Sequence, residues 1–168
     1  QLEFFWPQFA GVPAPQVLDS KAKLIGQAAT ELGLKLDTAA LRDFAAEIEW
    51  RKYSMLSIEQ YADVVSKRPR IGSLSADQNL SLQEQYEAVK IKSQRLDWED
   101  VLILTLGMLR AEPLALSHVH QQYRFFTVDE YQDINPVQHA LLKCLVGPRN
   151  EITAIGDPNQ AIYGFRGS

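Results

Sequence analysis

One cysteine, Cys144, is all the chain has, which excludes an internal disulfide framework and any metal cluster held by cysteine alone. It lies in the apolar run Ala140-Leu141-Leu142-Lys143-Cys144-Leu145-Val146 and reads as a small packed hydrophobe. No apolar stretch approaches the roughly 18 residues that span a bilayer, and no secretory signal is visible, so no membrane is expected as a partner and a reducing cytoplasm fits best. Positive charge is also scarce. Seventeen Lys and Arg stand against 21 Asp and Glu, which excludes a uniformly basic nucleic-acid coat but leaves room for a local basic groove. The imbalance is localised: residues 1–96 carry 12 basic and 12 acidic side chains, residues 97–168 carry 5 and 9. The acidic excess therefore lies in the C-terminal part, where carboxylates can serve a metal ion. Also missing is the phosphate-cradling loop G-x-x-x-x-G-K-[ST], since none of the eight lysines directly follows a glycine. The chain starts at Gln1 rather than Met and stops within a motif-rich loop, so it is read as a piece of a longer protein.

What is present suits a soluble globular protein: 46% of residues are hydrophobic and 23% charged, enough for a sizeable core in one or two small domains. Residues 1–16, with three prolines and the aromatics Phe4, Phe5, Trp6 and Phe9, read as an irregular connecting segment. Residues 17–96 carry helical signals. Asp19 or Ser20 can cap a helix ending near Gly33, Thr38 opens a second, and Ser57-Ile58-Glu59-Gln60 has capping-box spacing for a third that Pro69 stops. Ser81-Leu82-Gln83-Glu84 repeats that spacing for a fourth, leaving Pro69 to Asn79 as a polar, mobile loop. From Asp97 the pattern changes. Asp97 can cap a helix from Trp98 to about Ala111, and Pro113 opens another. Phe125-Phe126-Thr127-Val128 reads as a strand buried on both faces, as in a parallel sheet. Asn135-Pro136 starts a helix ending at Gly147, and Glu151 to Ile155 is a second strand. Strand, helix, strand is a βαβ unit, whose ligands bind at the carboxyl ends of the strands. Asp129-Glu130 and Gly156-Asp157 should therefore lie side by side.

An apolar strand followed by Asp-Glu is the Walker B pattern. The first carboxylate holds Mg²⁺, a hard ion that keeps most of its water, and the second is placed to polarise an attacking water. By itself the pair is weak, because acids ending a strand are more often merely solvated or capping. The surrounding residues change the weighting. Asp129-Glu130-Tyr131-Gln132-Asp133-Ile134-Asn135 resembles motif II of superfamily 1 DNA helicases of the UvrD/Rep/PcrA type. Gly156-Asp157-Pro158-Asn159-Gln160-Ala161-Ile162-Tyr163-Gly164-Phe165-Arg166-Gly167 resembles their motif III, and the 28-residue offset from Asp129 to Asp157 matches. Leu96-Asp97-Trp98-Glu99-Asp100-Val101-Leu102 resembles the acidic helix start that precedes motif II. The motif-bearing likeness covers residues 97–168; residues 1–96 match only as a helical insertion of suitable size.

The resemblance implies a mixed α/β fold. Residues 97–168 would form part of a RecA-like (P-loop NTPase) parallel sheet of the 1A motor domain, and residues 17–96 an inserted helical subdomain of the 1B kind. ATP and Mg²⁺ are the implied cofactors of the parent, with weak or no binding in this piece alone. Asp129 looks like the Mg²⁺ ligand, Glu130 the catalytic base and Gln160 the γ-phosphate sensor. Asp157 supports the loop and the metal's surroundings, while Gln132 and Asp133 either lie near the nucleotide or bridge the two motifs. Tyr163 and Phe165 look like a stacking pair for single-stranded DNA, worth roughly 1–3 kcal/mol per base whatever the sequence. Many relatives carry Trp at the place of Phe165. Arg166 contacts a phosphate or ties motif III to its neighbours.

Lys67, Arg68, Arg70, Lys90, Lys92 and Arg95 are candidates for duplex-DNA phosphates, weighed against a plain solvated face. His118 and His120 lack acidic or cysteine partners at metal spacing and read as surface or packing residues. The implied parent is an ATP-dependent 3′–5′ helicase or translocase of DNA repair, replication or recombination, and a helicase–nuclease of the RecB or AddA type stays open. The rival reading is a non-catalytic nucleic-acid or partner-binding module derived from the same fold. A receiver-like domain with Asp129 as phosphoacceptor leaves Gln160 to Arg166 unexplained. With only two strands recognisable, apolar sheet surface should be uncovered, so self-association of the isolated chain is expected.

Overall fold

The computed structural model of the chain describes residues 15–149 and 151–161. These form a mixed α/β structure that divides into two compact units, residues 15–99 and the part from residue 100 onward.

In the first unit a short strand β1 (Gln16–Val17) leads into helices α1 (Ala22–Glu31), α2 (Thr38–Tyr53), α3 (Ile58–Ala62) and α4 (Ala76–Lys92), and then strand β2 (Arg95–Leu96). β1 and β2 pair in parallel, Gln16 opposite Arg95 and Val17 opposite Leu96, so the two ends of the unit lie together. The helix starts follow local chemistry. Asp37 caps α2 by accepting from the Ala40 N–H, and Ser57 forms a reciprocal capping box with Gln60. α1 departs from expectation: its N-cap is Lys21 with no side-chain cap, although the Ser20 hydroxyl accepts from the Ala22 N–H at 3.3 Å. α4 departs further. It begins at Ala76, not Ser81, because Ser75 and Gln78 make a capping box one and a half turns earlier. The expected mobile loop is thereby shortened, and Ile71, Leu74 and Asn79 within it are buried. α3 also stops at Ala62, and a single 3₁₀ turn at Val65–Lys67 carries the chain towards Pro69.

Leu24, Ile25 and Ala28 of α1, Phe44 and Ile48 of α2, and Leu82, Tyr86 and Val89 of α4 form the core of this unit. Beside it lies a buried cluster of opposite charges. The Lys52 ammonium sits 2.6 Å from Asp97 Oδ2 and 3.0 Å from Glu87 Oε1. Lys90 contacts the same two carboxylates, and the Tyr86 hydroxyl donates to Asp97 at 3.0 Å. Arg51 donates to Glu87 at 2.7 Å and to the Gln83 carbonyl at 2.8 Å. Next to it Lys21 bridges Glu49 and Glu99 at 3.0 and 3.1 Å. Burial raises the pKa of Glu99, helped by the neighbouring Asp97 and opposed by Lys21. Glu87 behaves oppositely: burial pushes its pKa up, but Lys52 and Lys90 bring it below the ordinary value. Helix α5 (Trp98–Ala111) starts where the sequence indicates, yet the Asp97 carboxylate is only 1% exposed and committed to this ion cluster.

The second unit continues through α5, then α6 (Pro113–Gln122), strand β3 (Phe126–Val128), α7 (Pro136–Val146) and strand β4 (Ile152–Ala154). Asn135 caps α7 with a capping box to Gln138, Pro136 occupies its first turn, and Gly147 ends it with φ +62°. A side chain at position 147 would meet the His120 imidazole at 2.7 Å, and that ring contacts the Cys144 carbonyl at 3.0 Å. His120 is thus a packing residue at the end of α7, and His118 is exposed, as read from the sequence. Leu109, Ala115 and Val119 form a small core against Leu141, Cys144 and Leu145. Cys144 is half-buried there, and desolvation raises its pKa. β3 and β4 pair in parallel, Phe126 opposite Ile152 and Val128 opposite Ala154. The expected two-faced burial is not met: β3 is at most half-buried and β4 exposed. Among the described residues this sheet has two strands only, so both outer edges lack a strand neighbour. No single helix among the described residues is long and apolar enough to cross a membrane.

Asp97→Ala leaves two buried ammonium groups short of a partner and should cost about 3–5 kcal/mol, read by chemical denaturation; a loss within the range of surface substitutions contradicts the anchoring role. Because the folded pKa of Glu87 is depressed, its contribution to stability is full above the ordinary value of 4.5 and lost as pH falls through the lower folded value. The stability gap between wild type and Glu87→Gln should accordingly narrow with acidification over that window, and a gap independent of pH contradicts the assignment.

Candidate active site

The acidic residues meet because the β3–β4 pairing does not stop at the strand ends. The Ile155 N–H donates to the Val128 carbonyl at 2.8 Å, and the Tyr131 N–H donates back to Ile155 at 3.0 Å. Asp129 follows Val128 at the carboxyl edge and is exposed. Its Oδ1 accepts the Glu130 N–H at 2.9 Å. Glu130 then turns the chain through a left-handed backbone, φ +52° and ψ +42°. A non-glycine residue there carries strain of order 1–3 kcal/mol, so surrounding contacts must hold it. The Asp129 carboxylate does so from one side, and the Asp133 N–H donates to the Glu130 carbonyl at 2.9 Å from the other.

Gln132 completes the connection. Its amide nitrogen donates to Glu130 Oε2, and its amide oxygen accepts the Asp157 N–H at 3.1 Å. One side chain thus joins the loop after β3 to the loop after β4. Asp157 in turn organises its own loop: Oδ1 accepts from the Asn159 backbone and side-chain nitrogens at 2.9 and 3.1 Å, and Oδ2 accepts from the Gln160 side chain at 3.1 Å. Led by the Asn159 backbone N–H, these donors hold the Asp157 carboxyl below its ordinary value. The result is an unbroken run of hydrogen bonds from Glu130 through Gln132 and Asp157 to Gln160. Gly156 makes room for it, since a Cβ there would stand 2.5 Å from the Gln132 amide oxygen and 3.1 Å from the Tyr131 nitrogen.

A groove of about 380 Å³ opens beside Asp129 and Glu130, walled by Ile134 and by Leu141, Leu142 and Leu145 of α7. Among the described residues no three His, Cys, Asp or Glu side chains converge as a metal cage. The exposed Asp129 carboxylate at a strand end fits Mg²⁺, which is typically held by one or two carboxylates, with phosphate oxygens and water supplying the rest. Asp129, Glu130, Gln132, Asp157 and Gln160 are therefore brought together, while Tyr163, Phe165 and Arg166 lie outside the described residues. The part of Gly156 was not evident from the sequence, although a glycine directly after a strand is the usual sign of close backbone approach.

The basic candidates of the helical unit divide differently from the sequence reading. Lys90 is buried in the ion cluster, and Arg68 pairs with Glu47 at 2.8 Å while its guanidinium lies 3.4 Å over the Trp50 ring. Both are committed internally. Lys67, Arg70 and Lys92 are exposed, and Arg95 is half-buried.

Comparison with known proteins adds an independent finding. The family model of the UvrD/REP helicase N-terminal domain matches residues 14–168. ATP-dependent DNA helicase UvrD2 of Mycobacterium tuberculosis is 36% identical over 171 residues, covering all of this chain and 24% of that protein. ATP-dependent DNA helicase UvrD1 of Mycobacterium leprae is 28% identical over 167 residues, covering 90% of this chain and 20% of its own length. ATP-dependent DNA helicase PcrA of Leuconostoc citreum is 35% identical over 83 residues, covering 49% of this chain and 11% of its own length. The chain thus spans about a quarter or less of the relatives it matches.

Gly156→Ala should destabilise the second unit by about 1–3 kcal/mol through overpacking against the Tyr131 and Gln132 backbone nitrogens, measured as a lowered denaturation midpoint; unchanged stability contradicts the close approach.

Proposed function

Because the chain belongs to the UvrD/REP helicase N-terminal domain family, we propose that it is part of the motor of an ATP-dependent DNA helicase, with residues 97–168 in a RecA-like 1A domain and residues 17–96 forming its 1B-like insertion. The adjacent ends of the helical unit, paired through β1 and β2, support an insertion. The observation that carries the catalytic reading is the hydrogen-bonded run Glu130–Gln132–Asp157–Gln160 at the carboxyl edge of a parallel pair.

Each side chain then has a role suited to its position. When bound, Mg²⁺–ATP supplies the electrophilic phosphorus and a neutralised leaving group. Asp129 holds the metal on its exposed carboxylate. Glu130, held by the Gln132 amide, orients a water and takes its proton. Gln160 presents an amide to the terminal phosphate, and its bond to Asp157 places that amide on the loop that leads to Tyr163. Asp157 sets the shape of the loop. Tyr163 and Phe165 are assigned to stacking on bases of single-stranded DNA, and Arg166 to a phosphate contact or to tying its motif to the neighbouring residues. A shift at Gln160 is three residues from the base platform, which links nucleotide state to grip on DNA; the 3′–5′ direction is proposed only by analogy with the family. The exposed Lys67, Arg70 and Lys92 are left for duplex phosphates. Phe125, 79% exposed, and Ile155, 54% exposed, support self-association of the isolated chain.

With no G-K-[ST] in the sequence, the chain by itself should hydrolyse no ATP and unwind no DNA. In the complete protein, Glu130→Gln should lower ATP turnover by about 10²–10⁴-fold with nucleotide affinity retained. Tyr163→Ala should weaken single-strand binding by roughly 1–3 kcal/mol and reduce DNA-stimulated turnover more than basal turnover. Full turnover in Glu130→Gln, or equal losses of both rates in Tyr163→Ala, would overturn these roles; a complete protein without ATP hydrolysis would favour the non-catalytic module.

A further inference from the structure

We propose that Gln132 is a positioning residue whose amide clamps the Glu130 carboxylate to the loop carrying Asp157 and Gln160, an inference that rests on the helicase reading above for its consequence in catalysis. The contact at Glu130 needs a donor and the contact at the Asp157 N–H needs an acceptor, and a single side chain makes both. Within a primary amide the donor and the acceptor are held on one planar group and face different ways. Glutamate offers the acceptor without the donor, leucine offers neither, and asparagine is one methylene too short to span the same gap. Nothing else joins the Glu130 carboxylate to the β4 loop among the described hydrogen bonds.

The surroundings match a device that fixes direction. Glu130 sits on a strained left-handed turn, so its side-chain direction is not set by a regular element. Gly156 leaves space for the Gln132 amide where any side chain would collide with it. Asp157, through Gln160, carries the other end of the clamp to the residue assigned to sensing phosphate. The two clamped loops carry acids, Asp129, Glu130 and Asp133 in one and Asp157 in the other. The uncharged amide donates to Glu130 and adds no further negative charge to these loops.

The test uses the complete protein with Gln132→Glu and Gln132→Leu. Misdirecting a reacting group by an ångström costs on the order of 10²-fold, so both variants should lose turnover of that order in kcat with little change in KM for ATP. Gln132→Glu has a further signature. Its new carboxylate can replace the lost donor only when protonated, so its kcat relative to wild type should rise as pH falls. A purely structural role gives a ratio independent of pH. Separately from hydrolysis, exchange of the Asp157 amide hydrogen should stay protected in Gln132→Glu and lose protection in Gln132→Leu. Wild-type kcat in either variant, a pH-independent ratio, or a protected Asp157 amide in Gln132→Leu overturns the clamp. If the wild-type protein hydrolyses no ATP, the helicase reading fails while amide exchange still decides the clamp.

Discussion

Parallel pairing of two three-residue strands is the constraint on which the rest of the candidate site depends. Phe126 to Val128 lie against Ile152 to Ala154 in a single register, and that register brings residues 28 positions apart into contact. A slip by one residue would turn Asp129 to the other face and separate Gln132 from Asp157. So short a pair is marginal alone. What fixes it is the connection: α7, started by the Asn135 box and Pro136, packs its leucines towards the Leu109–Val119 core and stops at Gly147 under the His120 ring. The bonds beyond the strands, Ile155 to Val128 and Tyr131 to Ile155, then extend the register into the loops where chemistry is assigned.

The helical unit follows a different logic. Four cations, Lys21, Arg51, Lys52 and Lys90, are wholly or largely buried against Glu49, Glu87, Asp97 and Glu99. Such charges cost several kcal/mol each to desolvate and are tolerable only because each has a partner at hydrogen-bonding distance. Replacement by apolar residues can be as stable, so the cluster is better understood as fixing geometry than as adding stability. Asp97 is its hub. It holds α2 and α4 at the point where the chain leaves the unit beside the strand by which it came in.

Much of this was legible in the sequence wherever one local signal dominated. The helix α2 over Thr38–Tyr53, the helix from Trp98 to Ala111, the two short strands and the Asn135-to-Gly147 helix all have an unambiguous cap, stop or apolar run. The start of α4 was misplaced because Ser75-x-x-Gln78 and Ser81-x-x-Glu84 are equally good capping boxes, and packing of Ile71 and Leu74 decided between them. β1 and β2 could not be read, since two residues show no periodicity and their partners lie 79 positions away. Lys90 and Arg68 were read as either a solvated or a DNA-contacting face because a sequence shows charge and not burial. At the site, the nearness of the Asp129 and Asp157 loops was legible from the strand–helix–strand order, while the role given to Gln160 came from the family resemblance. The bridging geometry of Gln132 and the space supplied by Gly156 depend on atomic contacts across the two loops, which spacing does not encode.

The central claim is that one magnesium-bound triphosphate touches both loops at once. It is tested most directly by placing Mn²⁺ and a non-hydrolysable ATP analogue on the complete protein and recording paramagnetic broadening of backbone amide resonances. The account predicts simultaneous broadening of residues 129–132 and 156–160, abolished by Asp129→Asn. Broadening confined to one of these segments, or centred elsewhere and indifferent to Asp129, would contradict it.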